Sequence, residues 1–423
     1  MNIILFTGLT PTPENKNGPS AMMFHLFKNR PKDYNLRIYS LNHNNINAEE
    51  RYSNACILNA EILIIRDSFY NYIHRRHTFC ETRILLHIDK SYGESNYRLG
   101  YKYLKEFEDF KPDIVWLYNE VFVTVARQLS NYNLVVCGYD CLPLHYNRLL
   151  KDLYSFSFNE NLYKKFLFQY KVSIFRELEY KIFPVKKYFV GINDCKYYET
   201  ITRISDAQFF PHPHYNLVDK SIYFKDKTIL KVILSGKLDE YTYSESIKLM
   251  ESLINESVKL HEKFNITFLG KGWDEIAKKV KLAGYTVQHK LWVDNYVDEL
   301  TNYDIQIFPI SVGSGTKGKV LDALSTGLLV IGSAIALENI YVKNNHSCIQ
   351  YDNAEDICAI LEKVYINRSI FQQIAENGRA QVRKWHNPER ILSLIIDKFN
   401  NNSLYDGFKE YNSIFLKLTS IVK

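Results

Sequence analysis

The sequence lacks the features that mark a membrane-spanning or secreted protein. None of its apolar runs reaches the roughly 18 residues that a transmembrane helix needs. The segment Met1–Leu9 has no basic stretch before its short apolar run, so it does not match a signal peptide. The seven cysteines are odd in number and include no Cys-x-x-Cys pair, which indicates reduced thiols and not a metal site. We therefore expect a cytoplasmic protein, at most peripheral on the inner face of the cell membrane.

A strong charge of one sign is also missing, because the net charge is +6 and the pI about 8.6. The positive residues are spread along the chain, which argues against a nucleic-acid partner. A surplus of this size suits a diphosphate ligand or an anionic membrane surface. With 423 residues, of which 46% are hydrophobic, the chain is too long for one ordinary core and apolar enough to fill two.

Short apolar runs, loops and helical patterns alternate along the whole chain. Asn2–Thr7 and Asp113–Tyr118 are strand-like runs in the first half, and Ile229–Leu234 and Asn265–Gly270 are examples in the second. The stretch Asn147–Ile182 is predicted to be helical throughout. This alternation predicts an α/β fold with two parallel, doubly wound sheets. Such sheets bind ligands at the carboxyl ends of their strands.

The segment Pro211–Asp219 interrupts this alternation with prolines and turn-forming residues. A domain boundary is predicted just after it. We expect a first domain over residues 1–218, a second over 219–384, and C-terminal helices over 385–423.

A glycine-rich loop follows the apolar run Ile305–Pro309. Gly313 and Gly315 lack side chains, so the backbone N–H groups there can approach a ligand closely. A helix is predicted to begin just after this loop, with Ser314 or Thr316 as its cap. Loop amides beside a helix N-terminus form an anion site.

Charged residues extend this segment into the helix. Lys317 and Lys319 add positive charge, and Asp322 lies one turn further on, near the face that carries Lys319. The amides and lysines would bind a diphosphate, and Asp322 would accept hydrogen bonds from ribose hydroxyls. The alternative is an ordinary loop with solvated lysines. The fixed order of strand, loop, basic pair, acidic residue, Gly327 and apolar strand Leu328–Ile331 favours a nucleoside diphosphate.

The run Gly313-Ser-Gly-Thr-Lys-Gly-Lys-Val-Leu-Asp-Ala-Leu-Ser-Thr-Gly-Leu-Leu-Val330 resembles the donor-binding segment of GT-B glycosyltransferases. It is most similar to the Gly-Ser-Gly-Thr-Lys subset of their retaining family 4. The resemblance implies two Rossmann-like domains facing each other across a cleft, with C-terminal helices that cross back to the first domain. It also implies an acceptor-side first domain, a second domain that binds the nucleotide sugar, and no requirement for a metal or other cofactor.

Other positions carry the resemblance with shorter matches. Ser235–Asp239 resembles the first strand and loop of the family's second domain, which implies that Gly236 and Lys237 meet the donor phosphates. Gly270 follows a strand and is expected to shape the nucleotide pocket. Gly18 lies in the first loop, where the family often places a glycine near the donor phosphates or the acceptor.

Two positions depart from the family pattern of two glutamates separated by seven residues. Ser314 stands at the first position and Asp322 at the second. Asp322 retains a carboxylate for the ribose at shorter reach, whereas Ser314 removes one from beside the donor sugar. The departure bears on the stereochemistry of the reaction.

Candidates for the acceptor side follow strands of the first domain. Asp140 follows a predicted strand, and it is interpreted either as a group that orients or deprotonates the acceptor hydroxyl or as a helix cap. His145, five residues further on, is expected to be a loop residue. For Glu120, after another strand, a carboxylate at a helix N-terminus is the favoured reading over an acceptor site.

Three further features are open to a functional reading. His212-Pro-His214 resembles a metal pair, but no third ligand is near in sequence, and a structural role is expected. Trp292 lies in a region that lines the base in the resembling family, although packing is expected. Tyr163–Lys171 mixes basic and aromatic residues; a solvated helix face is favoured over a surface for anionic lipid.

The predicted function is transfer of a sugar from a nucleoside diphosphate to an acceptor hydroxyl, with retention by resemblance. Lys237, Lys317 and the amides near Gly315 and Thr316 would stabilise the leaving diphosphate. A glycan or lipid-linked glycan of a bacterial surface is the expected acceptor. The alternatives are a non-catalytic GT-B-like partner subunit and a GT-B-fold epimerase acting on the free nucleotide sugar.

Overall fold

The computed structural model describes residues 1–15, 19–66, 97–118, 122–138, 140–156, 159–182, 185–204, 207–218 and 222–400. The chain forms two compact units. Of the described residues, those within 1–150, 159–213 and 388–400 belong to unit 1, and those within 151–156 and 214–387 belong to unit 2. Among the described residues, no helix is both long enough and apolar enough to cross a membrane.

Unit 1 is built on a seven-stranded parallel sheet in the order β3-β2-β1-β4-β5-β6-β7. Its strands are β1 (Asn2–Thr7), β2 (Asn35–Ser40), β3 (Glu61–Ile64), β4 (Ile114–Tyr118), β5 (Leu134–Gly138), β6 (Lys186–Phe189) and β7 (Gln208–Phe209). Its helices are α1 (Ala21–Lys28), α2 (Ala48–Leu58), α3 (Tyr101–Phe110), α4 (Val123–Gln128), α5 (Leu142–Phe156), α6 (Glu160–Glu179) with a 3-10 turn (Tyr180–Ile182), and α7 (Ile192–Thr202). The end of α5, from Lys151 on, is assigned to unit 2. Every residue of β4 and β5 is buried, as expected for central strands covered on both faces.

Unit 2 is built on a six-stranded parallel sheet in the order β10-β9-β8-β11-β12-β13. Its strands are β8 (Leu230–Ser235), β9 (Phe264–Leu269), β10 (Thr286–Lys290), β11 (Ile305–Phe308), β12 (Leu329–Ser333) and β13 (Ile349–Tyr351). Its helices are α8 (Tyr243–Asn255), α9 (Ser257–Leu260), α10 (Asp274–Leu282), α11 (Tyr296–Leu300), α12 (Gly318–Thr326), α13 (Ala334–Leu337), a 3-10 turn (Ala354–Asp356), α14 (Ile357–Ile366) and α15 (Arg368–Trp385). The last described helix, α16 (Pro388–Asn400), belongs to unit 1 and packs on α1.

The predicted fold class, α/β with two Rossmann-like parallel sheets, is confirmed. The helical stretch expected over Asn147–Ile182 is instead two helices, α5 and α6. The side chain of Asn159 accepts a hydrogen bond from the backbone N–H of Leu162 at 3.1 Å and so starts a second helix.

The chain passes into unit 2 between Pro213 and His214, whereas the sequence places the boundary after residue 218. The carbonyl of Val218 accepts hydrogen bonds from Arg379 at 2.9 Å and from Arg383 at 2.6 Å, both on α15. The segment of residues 214–218 therefore packs as part of unit 2.

Candidate functional site

The loops that follow β8 and β9 meet at the carboxyl edge of the unit 2 sheet. Gly236 follows β8 directly, and its carbonyl accepts a hydrogen bond from the indole Nε1 of Trp273 at 2.7 Å. The backbone N–H of Leu238 donates to the carbonyl of Lys271 at 2.9 Å. Gly270 has a φ of +132°, and a Cβ there would collide with the Gly236 carbonyl. These contacts fix the backbone on either side of Lys237, whose side chain is exposed.

The glycine-rich loop after β11 folds back onto the side chain of its own lysine. Nζ of Lys317 donates to the carbonyls of Ser314 at 3.1 Å and Gly315 at 2.9 Å. Its third donor bonds to Oε1 of Glu338 at 3.0 Å. Gly315 has a φ of +62°, and a Cβ on Gly313 would lie 3.1 Å from the Lys317 Cε. Both glycines are therefore needed for the lysine to close the loop.

Helix α12 begins at Gly318, and Lys317 occupies its N-cap position without a side-chain cap bond. The predicted cap by Ser314 or Thr316 is therefore wrong. The physical reason is that the loop is closed by the Lys317 side chain, which makes Lys317 the last residue before the helix.

The end of β12 and the segment after it hold this loop in place through three side chains. The sequence does not predict these contacts. Glu338 bonds to Lys317, and both side chains are nearly buried, at 7% and 13% exposure. The buried Asn339 donates to the Gly315 carbonyl at 2.9 Å. Ser333 Oγ donates to the Ile310 carbonyl at 2.6 Å. Because β11 and β12 are parallel neighbours, the loops at their carboxyl ends had to be adjacent, and that adjacency was the available signal.

Lys319 lies close to the loop after β8 and to the carboxylates of Asp239 and Asp322. Its Nζ lies 5.5 Å from the ring centroid of Tyr296 and would lie 3.5 Å from a Cβ on Gly236. The side chain as a whole is exposed, but protein surrounding the ammonium lowers its pKa, and the charges of Asp322 and Asp239 oppose that shift. Burial raises the pKa of Asp239, and the positive charges of Lys237 and Lys319 oppose that rise. The loop after β8 and the first turns of α12 thus bring these charges within reach of one another.

Asp322, the predicted ribose ligand, is held by a residue that the sequence did not single out. Its Oδ1 accepts a hydrogen bond from Asn216 Nδ2 at 2.9 Å and lies 3.8 Å from His214 Nδ1. Burial raises the pKa of Asp322 to about 6, while the Asn216 bond and the charge of Lys319 lower it. In the sequence the Pro211–Asp219 segment is recognisable as a domain boundary and a pair of histidines, but nothing in it predicts the contact of Asn216 with α12.

Trp292 lies in solvent just past the end of β10, with 81% of its surface exposed. The predicted packing role is therefore wrong. Residues of β10, an edge strand, are half-buried or exposed, so the sheet offers no core for a ring that follows it.

The remaining candidates lie in or next to unit 1. Asp140 is half-buried between β5 and α5. The backbone N–H of Cys141 beside it donates to Oδ1 of the buried Asp194 at 2.7 Å. His145 is buried, contrary to the loop position expected, because it lies within α5. Gly18 and Glu120 lie outside the described residues.

The two histidines of the His212-Pro-His214 pair bond to backbone carbonyls. His212 Nδ1 lies 2.8 Å from the Pro213 carbonyl, and burial lowers its pKa to about 4. His214 Nε2 lies 2.8 Å from the Asn216 carbonyl. Over the described part of the chain, no group of three or more potential ligands could hold a metal ion.

Comparison with known proteins gives one family match. Residues 248–397, which include the glycine-rich loop and Asp322, match the family model described as glycosyl transferase-like. No curated protein matches the chain in sequence.

Several solved structures resemble the chain over nearly its whole length. HepE from Anabaena, in complex with UDP and glucose, aligns at a TM-score of 0.60 and 9% identity, covering 94% of this chain and 99% of that chain. Sucrose-phosphate synthase from Thermosynechococcus elongatus aligns at 0.64 and 10% identity, covering 95% and 99%. A glycosyltransferase from Rickettsia africae aligns at 0.58 and 10% identity, covering 94% and 97%. These similarities show that the chain has the fold of the GT-B glycosyltransferases.

Proposed function

We propose that this protein is a glycosyltransferase that moves a sugar from a nucleoside diphosphate to an acceptor hydroxyl. The observation that carries the proposal is the meeting of the loop after β8 with the first turns of α12, which brings Lys237 and Asp239 near Lys319 and Asp322. A carboxyl edge of parallel strands is where α/β folds bind ligands. The match of residues 248–397 to a glycosyl transferase-like family supports the same conclusion.

The diphosphate would lie on the amides of Gly315 and Thr316, near the charges of Lys237 and Lys319. Departure of the diphosphate builds negative charge on its oxygens, and fixed donors aimed at that charge lower the barrier. The sugar would pass through an oxocarbenium-like state. Asp322 would accept hydrogen bonds from the ribose hydroxyls, and its position near Lys319 supports a nucleoside placed beside the phosphates.

The uridine nucleotide is the first candidate for the donor. HepE binds UDP and glucose, and its similarity to this chain suggests testing UDP-sugars before others. The exposed ring of Trp292 follows β10 at the same sheet edge, and we propose that it covers the base. No metal or other cofactor is assigned to the reaction, since lysines and amides would hold the diphosphate.

The finer chemistry follows from the resemblance to the retaining family 4. We propose retention, although Ser314 stands where that family places a glutamate beside the donor sugar. Asp140, at the carboxyl edge of the unit 1 sheet, is proposed to orient the acceptor hydroxyl. The proposed acceptor is a glycan or lipid-linked glycan of a bacterial surface.

The function is tested by finding the donor and then measuring transfer. A thermal-shift screen across nucleoside diphosphate sugars identifies the ligand, since a ligand that binds the folded state raises the melting temperature. Release of nucleoside diphosphate is then followed with candidate acceptors. Lys317→Ala should lower transfer by about 10²-fold or more. The matched control is Lys259→Ala on α9, which precedes β9 and so lies at the amino edge of the sheet.

The outcomes separate the alternatives. Unchanged transfer in Lys317→Ala would contradict the assignment of the site. Donor binding without turnover by any acceptor favours a non-catalytic partner subunit, and conversion of the nucleotide sugar without an acceptor favours an epimerase. The anomeric configuration of the product, read by nuclear magnetic resonance, decides between retention and inversion.

A membrane surface is proposed as a second partner, through one face of α6. Lys164, Phe168, Lys171 and Phe175 recur at helical spacing and share this face. The Phe175 side chain is 68% exposed, and Lys164 and Lys171 are exposed beside it. Aromatic rings flanked by lysines suit the boundary between acyl chains and anionic headgroups.

Flotation with liposomes tests this surface. The protein should float with liposomes that contain anionic lipid, and Lys164→Glu with Lys171→Glu should abolish flotation because it reverses the charge of the face. The control is Lys278→Glu with Lys279→Glu on α10, which makes the same change in charge at an exposed pair of lysines in unit 2 and should leave flotation unchanged. Absence of flotation in the unchanged protein, or equal loss in both double variants, would rule the surface out.

A further inference from the structure

The Lys317–Glu338 pair is neutral as a unit, so Lys317 adds little net positive charge at the loop. The two side chains are nearly buried, at 13% and 7% exposure, and their charged atoms lie 3.0 Å apart. All three ammonium donors of Lys317 are matched by protein acceptors. A group bonded in this way acts on its own loop more than on a ligand.

The bonds of Lys317 set the direction of the peptide groups in the loop. In a trans peptide the carbonyl and the following N–H point in opposite directions, and the described chain contains no cis peptide. The carbonyls of Ser314 and Gly315 point at the lysine, so the N–H groups of Gly315 and Thr316 point to the other side of the loop. Successive N–H groups around a left-handed residue form an anion-binding concavity, and Gly315 has a φ of +62°.

The segment after β12 holds this arrangement at more than one point. Asn339 is fully buried and donates to the same Gly315 carbonyl that Lys317 binds, at 2.9 Å. Ser333, at the start of the segment, bonds to the carbonyl of Ile310 at 2.6 Å. Glu338 lies between these two anchors in the chain and contacts the lysine itself.

We infer that Glu338 is a positioning residue for the phosphate-binding loop. It holds Lys317, and Lys317 holds two carbonyls, so that the amides of Gly315 and Thr316 face the donor. The inference rests on the proposed function and deepens it, because Lys317 then acts through the loop without touching the diphosphate.

The sign of the effect on ligand binding separates this role from a passive one. A carboxylate near a diphosphate repels it, so removing the charge of a passive Glu338 would tighten binding. If Glu338 holds the loop, removing it weakens binding, because the buried lysine loses its partner and the carbonyls are released.

Calorimetric titration of the full chain with UDP, GDP and ADP measures this sign. For the nucleotide that binds the unchanged protein, Glu338→Gln should raise the Kd about tenfold, and Glu338→Ala should raise it further because no acceptor remains. Glu262→Gln is the control, with the same charge change on a carboxylate that is 87% exposed. Unchanged or tighter binding in the Glu338 variants would overturn the inference.

Hydrogen exchange supplies a measurement that needs no ligand. In the unliganded protein, amides of the peptide covering residues 311–320 should exchange faster in Glu338→Gln, while those of β8, residues 230–235, stay unchanged. Unchanged exchange at 311–320 would contradict the role of Glu338, and faster exchange in β8 would indicate general unfolding and contradict it as well. If no nucleotide binds the unchanged protein, the proposed function fails, and hydrogen exchange alone decides on the loop.

Discussion

Asp322 is the residue at which the needs of the fold and of the proposed ligand oppose each other. Its carboxylate is 14% exposed, and one oxygen is bonded to Asn216. Burial raises its pKa from 3.8 to about 6, so ionising this carboxyl at neutral pH is less favourable in the folded protein than in the unfolded chain. A ribose that donates hydrogen bonds would favour the charged form.

Changing Asp322 to asparagine should therefore stabilise the unliganded protein at neutral pH. A raised carboxyl pKa contributes stability that is present below about 3.8 and is lost as the pH rises through about 6. The shift is worth on the order of 3 kcal/mol, so Asp322→Asn should melt higher than the unchanged protein at pH 7.5 and equally at pH 4.

The same variant should bind the donor nucleotide at least about tenfold more weakly, since a charge-assisted hydrogen bond is lost. The control is Asp226→Asn, an exposed carboxylate of the same unit. A melting temperature at pH 7.5 below that of the unchanged protein would show that the buried charge costs no stability.

At the scale of elements, the site depends on loops that begin at neighbouring strand ends. β9 and β8 are paired along their whole length, and this pairing brings the loops after them together. Gly270 packs so close to the carbonyl of Gly236 that it leaves no room for a Cβ, and the same carbonyl accepts a hydrogen bond from Trp273. The backbone around Gly236 and Gly270 is therefore fixed by contacts between elements, not within one loop.

Gly270→Ala should disturb this arrangement, because its Cβ would collide with a backbone carbonyl at a φ of +132°. We expect a loss of about 1–3 kcal/mol in stability, measured as a lower melting temperature, and weaker nucleotide binding. Gly318→Ala is the matched control, since a Cβ at the first residue of α12 meets nothing within 4 Å. Equal effects of the two substitutions would contradict a special role for the Gly270 contact.

At the scale of the whole molecule, each unit gathers segments that are far apart in the sequence. Unit 1 includes α16, whose buried residues Ile391, Leu392, Ile395 and Ile396 form its apolar face. Unit 2 takes in His214–Val218, which sequence reasoning assigned to the first domain. The side chain of Asn216 bonds to Asp322 within unit 2, and no local sequence pattern predicts a contact over that distance in the chain.

Local sequence patterns are enough to predict the fold class, and they also predict an anion site at the glycine-rich loop. The periodicity of strands and helices is a local property, so the alternation of elements that builds two parallel sheets can be predicted from the sequence. The order of glycines, lysines and Asp322 is local as well, and it indicates an anion site at a strand end. The start of α12 was misjudged because a lysine, and not a hydroxyl side chain, closes the loop.

The side chains that hold the glycine-rich loop and the carboxylate of Asp322 are known only from the tertiary structure. Glu338 reaches Lys317 because β11 and β12 are neighbours, and Asn216 reaches Asp322 over 106 positions of sequence. Trp292 lies in solvent because it follows β10, the edge strand of the sheet. Strand order is set by packing across the whole unit, so these contacts follow from the fold and not from the spacing of residues along the chain.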